Sequence, residues 1–144
     1  MPLVYLDASA IVKLIIDEPG SRALRSFLAD ADLISSELVL TEVPRAVHRA
    51  ASFDAAVPLD VSMTRAAQVI DAIALVPLDR GVLLAAGALD EAPLRALDAI
   101  HVASAITVGP LAAFVVCDGR HSAAARLAGV RTVAPGVGAT QGDG

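Results

Sequence analysis

Leu3-Val4-Tyr5-Leu6-Asp7 is an almost unbroken apolar run that stops at an acid. Such a run suits a strand buried on both faces of a parallel sheet, where helices cover each side and polar alternation disappears. Phe114-Val115-Val116-Cys117 stops at Asp118 in the same way. Between the two, apolar residues recur at helical spacing. Ala23, Leu24, Phe27 and Leu28 make one stripe, and Met63, Ala66, Ala67, Ile70 and Ile73 make another. Short strands alternating with helices indicate an α/β domain: a three-layer α/β/α sandwich around a mostly parallel central sheet. In such sheets ligands sit beyond the carboxyl ends of the strands, where Asp7 and Asp118 are expected.

Working outward, the pattern predicts further strands over 32–35, 75–78 and 131–133. Helices are expected over 11–16, 21–29, 36–51, 79–89, 94–108 and 119–128, with one more opening at a Ser62 cap. Pro44 falls inside the 36–51 segment, where it lacks a donor and crowds the Leu40 carbonyl, so a bend or a break is expected there. Gly109-Pro110 closes the long late helix. The chain has 144 residues, enough for one domain with a real core. We place that domain over 1–135 and a flexible Gly-rich tail over 136–144.

Composition excludes several classes of function. A formal net charge of -5 argues against coating nucleic acid by bulk charge. A single thiol, Cys117, builds no internal disulfide framework and fits a reducing compartment. The opening MPLVYLD has no basic segment and reads as a strand, not a signal peptide, and no apolar run approaches the roughly 20 residues of a membrane span. A cytoplasmic protein that does not enter membranes is the expectation.

Four acids stand out. Asp7, Asp98 and Asp118 each have a plain explanation as helix N-caps. Glu42 resists it, because within Leu38-Val39-Leu40-Thr41-Glu42-Val43 a charge is costly unless it faces a cleft or a partner. Asp98 opens the nearly all-apolar stretch Leu97-Asp98-Ala99-Ile100-His101-Val102-Ala103, where an isolated carboxylate protonates or finds a cation. If all four converge, the chain's single lysine, Lys13, cannot balance them. An oxygen-preferring dication, Mg²⁺ or Mn²⁺, is then the simplest counter-charge, and the scattered His48, His101 and His121 offer no zinc site. Ser9 either hydrogen-bonds a metal-bound water or caps the first helix. His101, one turn beyond Asp98, reads as a packed supporting group more than as a base. Arg45 and Arg49 lie along the face of Glu42, where they either track phosphates or form a solvated charged face.

These fragments together resemble the PIN-domain ribonucleases, in particular the VapC toxins of bacterial toxin-antitoxin pairs. The resemblance rests on Leu6-Asp7-Ala8-Ser9-Ala10, Thr41-Glu42-Val43, Leu97-Asp98-Ala99-Ile100-His101-Val102-Ala103 and Cys117-Asp118-Gly119-Arg120, in that order over nearly the whole chain. It implies a PIN-like sandwich and Mg²⁺-dependent cleavage of RNA, with Asp7, Glu42, Asp98 and Asp118 as the acidic quartet that is both catalytic and metal-binding. It also implies a homodimer inhibited by a cognate VapB-type antitoxin. Two departures are visible: Val116 stands where the family often has Thr or Ser, and Pro44 stands beside Glu42. The competing reading is a non-catalytic α/β interaction module, receiver-like or PIN-like, whose acids are caps. A receiver or an aspartate phosphatase needs a lysine late in the chain, and Lys13 is early.

Overall fold

The computed structural model describes residues 1–90, 94–117 and 132–133. In chain order these form β1 (Leu3–Leu6), α1 (Ala8–Ile15), α2 (Ser21–Leu28), β2 (Asp32–Ser36), α3 (Val39–Phe53), α4 (Leu59–Asp71), β3 (Ala74–Val76), α5 (Arg80–Gly87), α6 (Ala96–Val108), β4 (Ala113–Val115) and β5 (Thr132–Val133). The strands make one sheet in the order β3-β2-β1-β4-β5, and every neighbouring pair is parallel. β1 is the middle strand, which is why its sequence reads as apolar on both faces. The direction of strand addition reverses between β1 and β4, and the carboxyl ends beside such a reversal form a crevice.

Alternation along β1 divides the core into two layers. Val4 and Leu6 pack with Ile11, Ile15, Leu24, Val39, Val43 and Val47 of the first three helices. Tyr5 points to the other side, among Phe114, Val102 and Ala105. The small residues Ala99 and Ala103 let α6 lie close to Val82 and Ala86 of α5. The result is the α/β/α sandwich expected from the sequence.

Of the differences from expectation, those at α3 and α4 have clear local reasons. α3 begins at Val39, because Ser36 still belongs to β2 and uses its hydroxyl to accept from the Leu38 amide at 3.1 Å. The helix then runs through Pro44 as a single element; Leu40, whose carbonyl Pro44 cannot serve, is 52% exposed and within reach of water. α4 starts at Leu59 behind Pro58, so Ser62 is buried inside the helix and does not cap it. Asp79 caps α5 by accepting from the Val82 amide at 2.9 Å, and Gly109 ends α6 with φ at 95°, the stop that the sequence predicts. The expected helix over 119–128, the tail and Asp118 lie outside the described residues.

Candidate active site

The central strand ends at Asp7, and its carboxylate has a structural task. Oδ1 accepts the Ala10 amide at 3.0 Å and so caps α1, and it also accepts the Ser9 hydroxyl at 2.6 Å. Ser9 Oγ in turn accepts the Cys117 amide at 3.0 Å, while the Asp7 amide donates to the Val115 carbonyl at 3.2 Å. These bonds lace the end of β1 to the end of β4 across the crevice. Ser9 therefore supports Asp7 and steadies the segment leading to Asp118. The Cys117 thiol, pushed up to about 11 by burial, remains protonated and packs against the core only partly buried, where the sequence predicts a buried apolar group.

Helices that follow or precede parallel strands run back against them. α1 and α3 start where β1 and β2 end, and α6 ends just before β4 begins, so the first turns of all three helices open at the carboxyl edge. The first turn of α3 carries Glu42, and that of α6 carries Asp98. Asp98 does not cap α6, because Arg95 holds the cap position. One turn further, His101 is 3% exposed and bonds through Nε2 to Glu42 Oε1 at 2.6 Å. Its Nδ1 meets the Tyr5 hydroxyl at 2.8 Å.

Thus β1, α3 and α6 are tied together at one edge, and the tie brings Glu42 to the α6 face that presents Asp98. Tyr5 sits among these charges: burial, reinforced by Asp7 and Glu42, drives its phenol far above the ordinary range, against a smaller opposing effect from Ser104 and Ser35. Tyr5 is the residue that sequence reasoning missed. Its signal was a hydroxyl inside a strand otherwise apolar, since a buried phenol needs a partner. His101 is the packed supporting group that the sequence predicts.

Lys13, the single lysine, donates to the Pro19 carbonyl at 2.8 Å and does not reach across to Glu42. Among the described residues, no three Asp, Glu, His or Cys side chains form a ready-made cation cage, and that set does not include Asp118. Further along α3, Arg45, His48, Arg49 and Ser52 line a surface depression of about 380 Å³, on the helix face that continues from Glu42.

Fold and edge together define a class: a parallel α/β/α sandwich with carboxylates drawn to the carboxyl ends of its central strands. The PIN domain family model matches residues 4–127. Ribonuclease VapC46 of Mycobacterium tuberculosis (strain ATCC 25618 / H37Rv) is 39% identical over 137 residues, covering 94% of this chain and 99% of its own. Ribonuclease VapC47 of strain CDC 1551 / Oshkosh is 34% identical over 140 residues, covering 93% and 98%. The chain belongs to the PIN-domain family, in its VapC ribonuclease group. Solved structures agree on the fold. The M. tuberculosis sarcin-ricin loop cleaving toxin VapC20 superposes with a TM-score of 0.69 at 18% identity, over 92% of this chain and 99% of that one. VapBC2 from Rickettsia felis, bound to a promoter DNA fragment, gives 0.67 at 13% identity, over 92% and 98%.

Proposed function

We propose that this chain is the ribonuclease toxin of a VapB–VapC pair and cleaves RNA phosphodiesters with the help of a divalent cation. The carrying observation is the joining of β1, α3 and α6 at one sheet edge, which sets Glu42 against the α6 face that presents Asp98, beside the strand end that holds Asp7. VapC kinship supports the same reading, and the R. felis VapBC complex supports a VapB-type antitoxin as partner. A homodimer belongs to the same proposal.

The donor chemistry fits Mg²⁺ or Mn²⁺, because Asp7, Glu42, Asp98 and Asp118 offer only oxygen. In this reading Asp7 and Asp98 are direct ligands, while Glu42 and Asp118 place water or a second ion. A cation bound there supplies Lewis acidity, activating water toward phosphorus and offsetting charge on the reacting phosphate. Ser9 and the α1 amide of Ala10 hold the Asp7 carboxylate in place, which limits its reorganisation when substrate arrives. Asp7 occupies an N-cap position, whereas Glu42 and Asp98 lie within the first turns of α3 and α6.

The test is cleavage of cellular RNA by purified protein freed of any antitoxin. Cleavage is expected with Mg²⁺ or Mn²⁺, is lost in EDTA and returns when the cation is restored. Cleavage that persists unchanged in EDTA, or no cleavage of any RNA with either cation, overturns the proposal.

Arg45 and Arg49 extend the site along α3, where we assign them to RNA phosphates. Replacing both with Ala is expected to raise KM while kcat stays nearly constant. The salt dependence of KM flattens by about 0.7 in log–log slope for each single-strand phosphate left without its arginine. Steady-state kinetics over a salt series measure both effects, and an unchanged slope returns the two arginines to a solvated face.

A further inference from the structure

We infer that Tyr5 and His101 are positioning residues for Glu42: a buried, one-way hydrogen-bond relay runs from the Tyr5 hydroxyl through the imidazole to Oε1 and leaves Oε2 outside it. The inference rests on the proposed cation site, but its geometry stands independently. A carboxylate only accepts, so at 2.6 Å from Glu42 Oε1 the proton lies on His101 Nε2. In the Nε2–H tautomer that this bond favours, Nδ1 is an acceptor and requires a donor.

Tyr5 is the donor at hand, 2.8 Å away, and its burial keeps the phenol protonated. The two serines nearby direct their own hydroxyl protons elsewhere: Ser35 donates to the Leu6 carbonyl at 2.6 Å and Ser104 to the Ile100 carbonyl at 2.7 Å. Neither serine therefore supplies a proton to Nδ1, which leaves Tyr5 as its donor. The relay's anchor is rigid as well. The Tyr5 ring stacks on Phe114 at 5.0 Å between centroids, 9° from parallel, and meets the His101 ring edge-on at 5.9 Å.

The consequence concerns a side chain that would otherwise be loose. Glu42 sits on a helix and its side chain is 20% exposed, so without the relay several rotamers compete. With it, β1 and α6 dictate where an α3 carboxylate sits, and hydrogen-bonded partners of this kind tune metal affinity without touching the metal. The sheet's central strand thus contributes to the site twice, through Asp7 at its end and through Tyr5 in its interior.

The test combines a metal-free readout with a metal-dependent one. Side-chain ¹⁵N spectra of the metal-free protein near neutral pH should show His101 in a single Nε2–H tautomer. In Tyr5→Phe, which keeps the ring on Phe114, the Nδ1 resonance should shift as its donor disappears. An Nδ1–H tautomer in the wild type, or an Nδ1 signal indifferent to Tyr5→Phe, overturns the relay whether or not the protein cleaves RNA. Calorimetry with Mn²⁺ should show His101→Ala weakening binding about 10–100-fold, with His101→Gln, which retains a donor toward Glu42, recovering part of the loss. RNA cleavage should lose kcat and keep KM. Should His101→Ala not fold, Tyr5→Phe decides: unchanged Mn²⁺ affinity and unchanged kcat in that variant overturn the positioning role. A wild type that binds no Mn²⁺ and cleaves no RNA, yet shows the Nε2–H tautomer and the Tyr5→Phe shift, refutes the nuclease reading and leaves the relay standing.

Discussion

Asp7→Asn is expected to abolish RNA cleavage, by at least about 100-fold, the upper end of the loss seen when only a ligand's supporting partner is removed. The fold should survive. Asn caps helices about as well as Asp, and its amide oxygen can keep accepting from the Ala10 amide and the Ser9 hydroxyl, as Asp7 does at 3.0 and 2.6 Å. What disappears is the negative charge at the start of α1, worth at most about 2 kcal/mol through the helix dipole at a buried position. Asp7→Ala removes charge and cap together and should cost a further ~0.5–2 kcal/mol. The pair separates the two explanations of Asp7. If it is only a cap, Asn retains activity; if it is a ligand, Asn and Ala are equally inactive and differ only in stability. Initial rates with Mg²⁺, beside urea unfolding curves, distinguish these outcomes.

Leu6→Ala is expected to be the most damaging of the single truncations considered, by about 2–5 kcal/mol, the range for deleting a fully buried aliphatic side chain. Leu6 is 0% exposed and lies on the middle strand of the sheet, packed with residues of α1, α2 and α3. A loss of this size corresponds to a melting temperature lower by roughly 5–20 °C for a domain near this length. Leu97→Ala is the control: at 49% exposure it should change stability by no more than about 0.5 kcal/mol. A loss below ~1 kcal/mol for Leu6→Ala would mean that the layer of α1, α2 and α3 is not closed against β1 as the packing indicates.

Much of this was legible along the chain, and the reasons are local. Both acid-terminated apolar runs became neighbouring central strands, because a continuous apolar segment has no solvent-facing side and must be covered twice. The Gly109 stop came from backbone chemistry confined to a few residues. Errors also came from local signals, where two competed. Ser62 resembled a cap, yet Pro58 pre-sets the entry to α4 four residues earlier and buries the serine. Ser36 resembled a helix start, yet pairing with β3 keeps it in the sheet.

The acids followed the same division. That Glu42 and Asp98 needed a partner was evident from the apolar residues around them, because burying a charge is costly wherever the fold puts it. Which partner each would have was not. Glu42 meets His101 across 59 positions of sequence, and His101 meets Tyr5 across 96. Sequence periodicity determined the class of fold, the central strand and the list of carboxylates, since each depends on what a residue is and on its near neighbours. Only the tertiary structure decided that Tyr5, one more ring within an apolar strand, would direct a glutamate on another layer, because hydrogen bonds act over about 3 Å and the chain alone does not reveal which distant residues come that close.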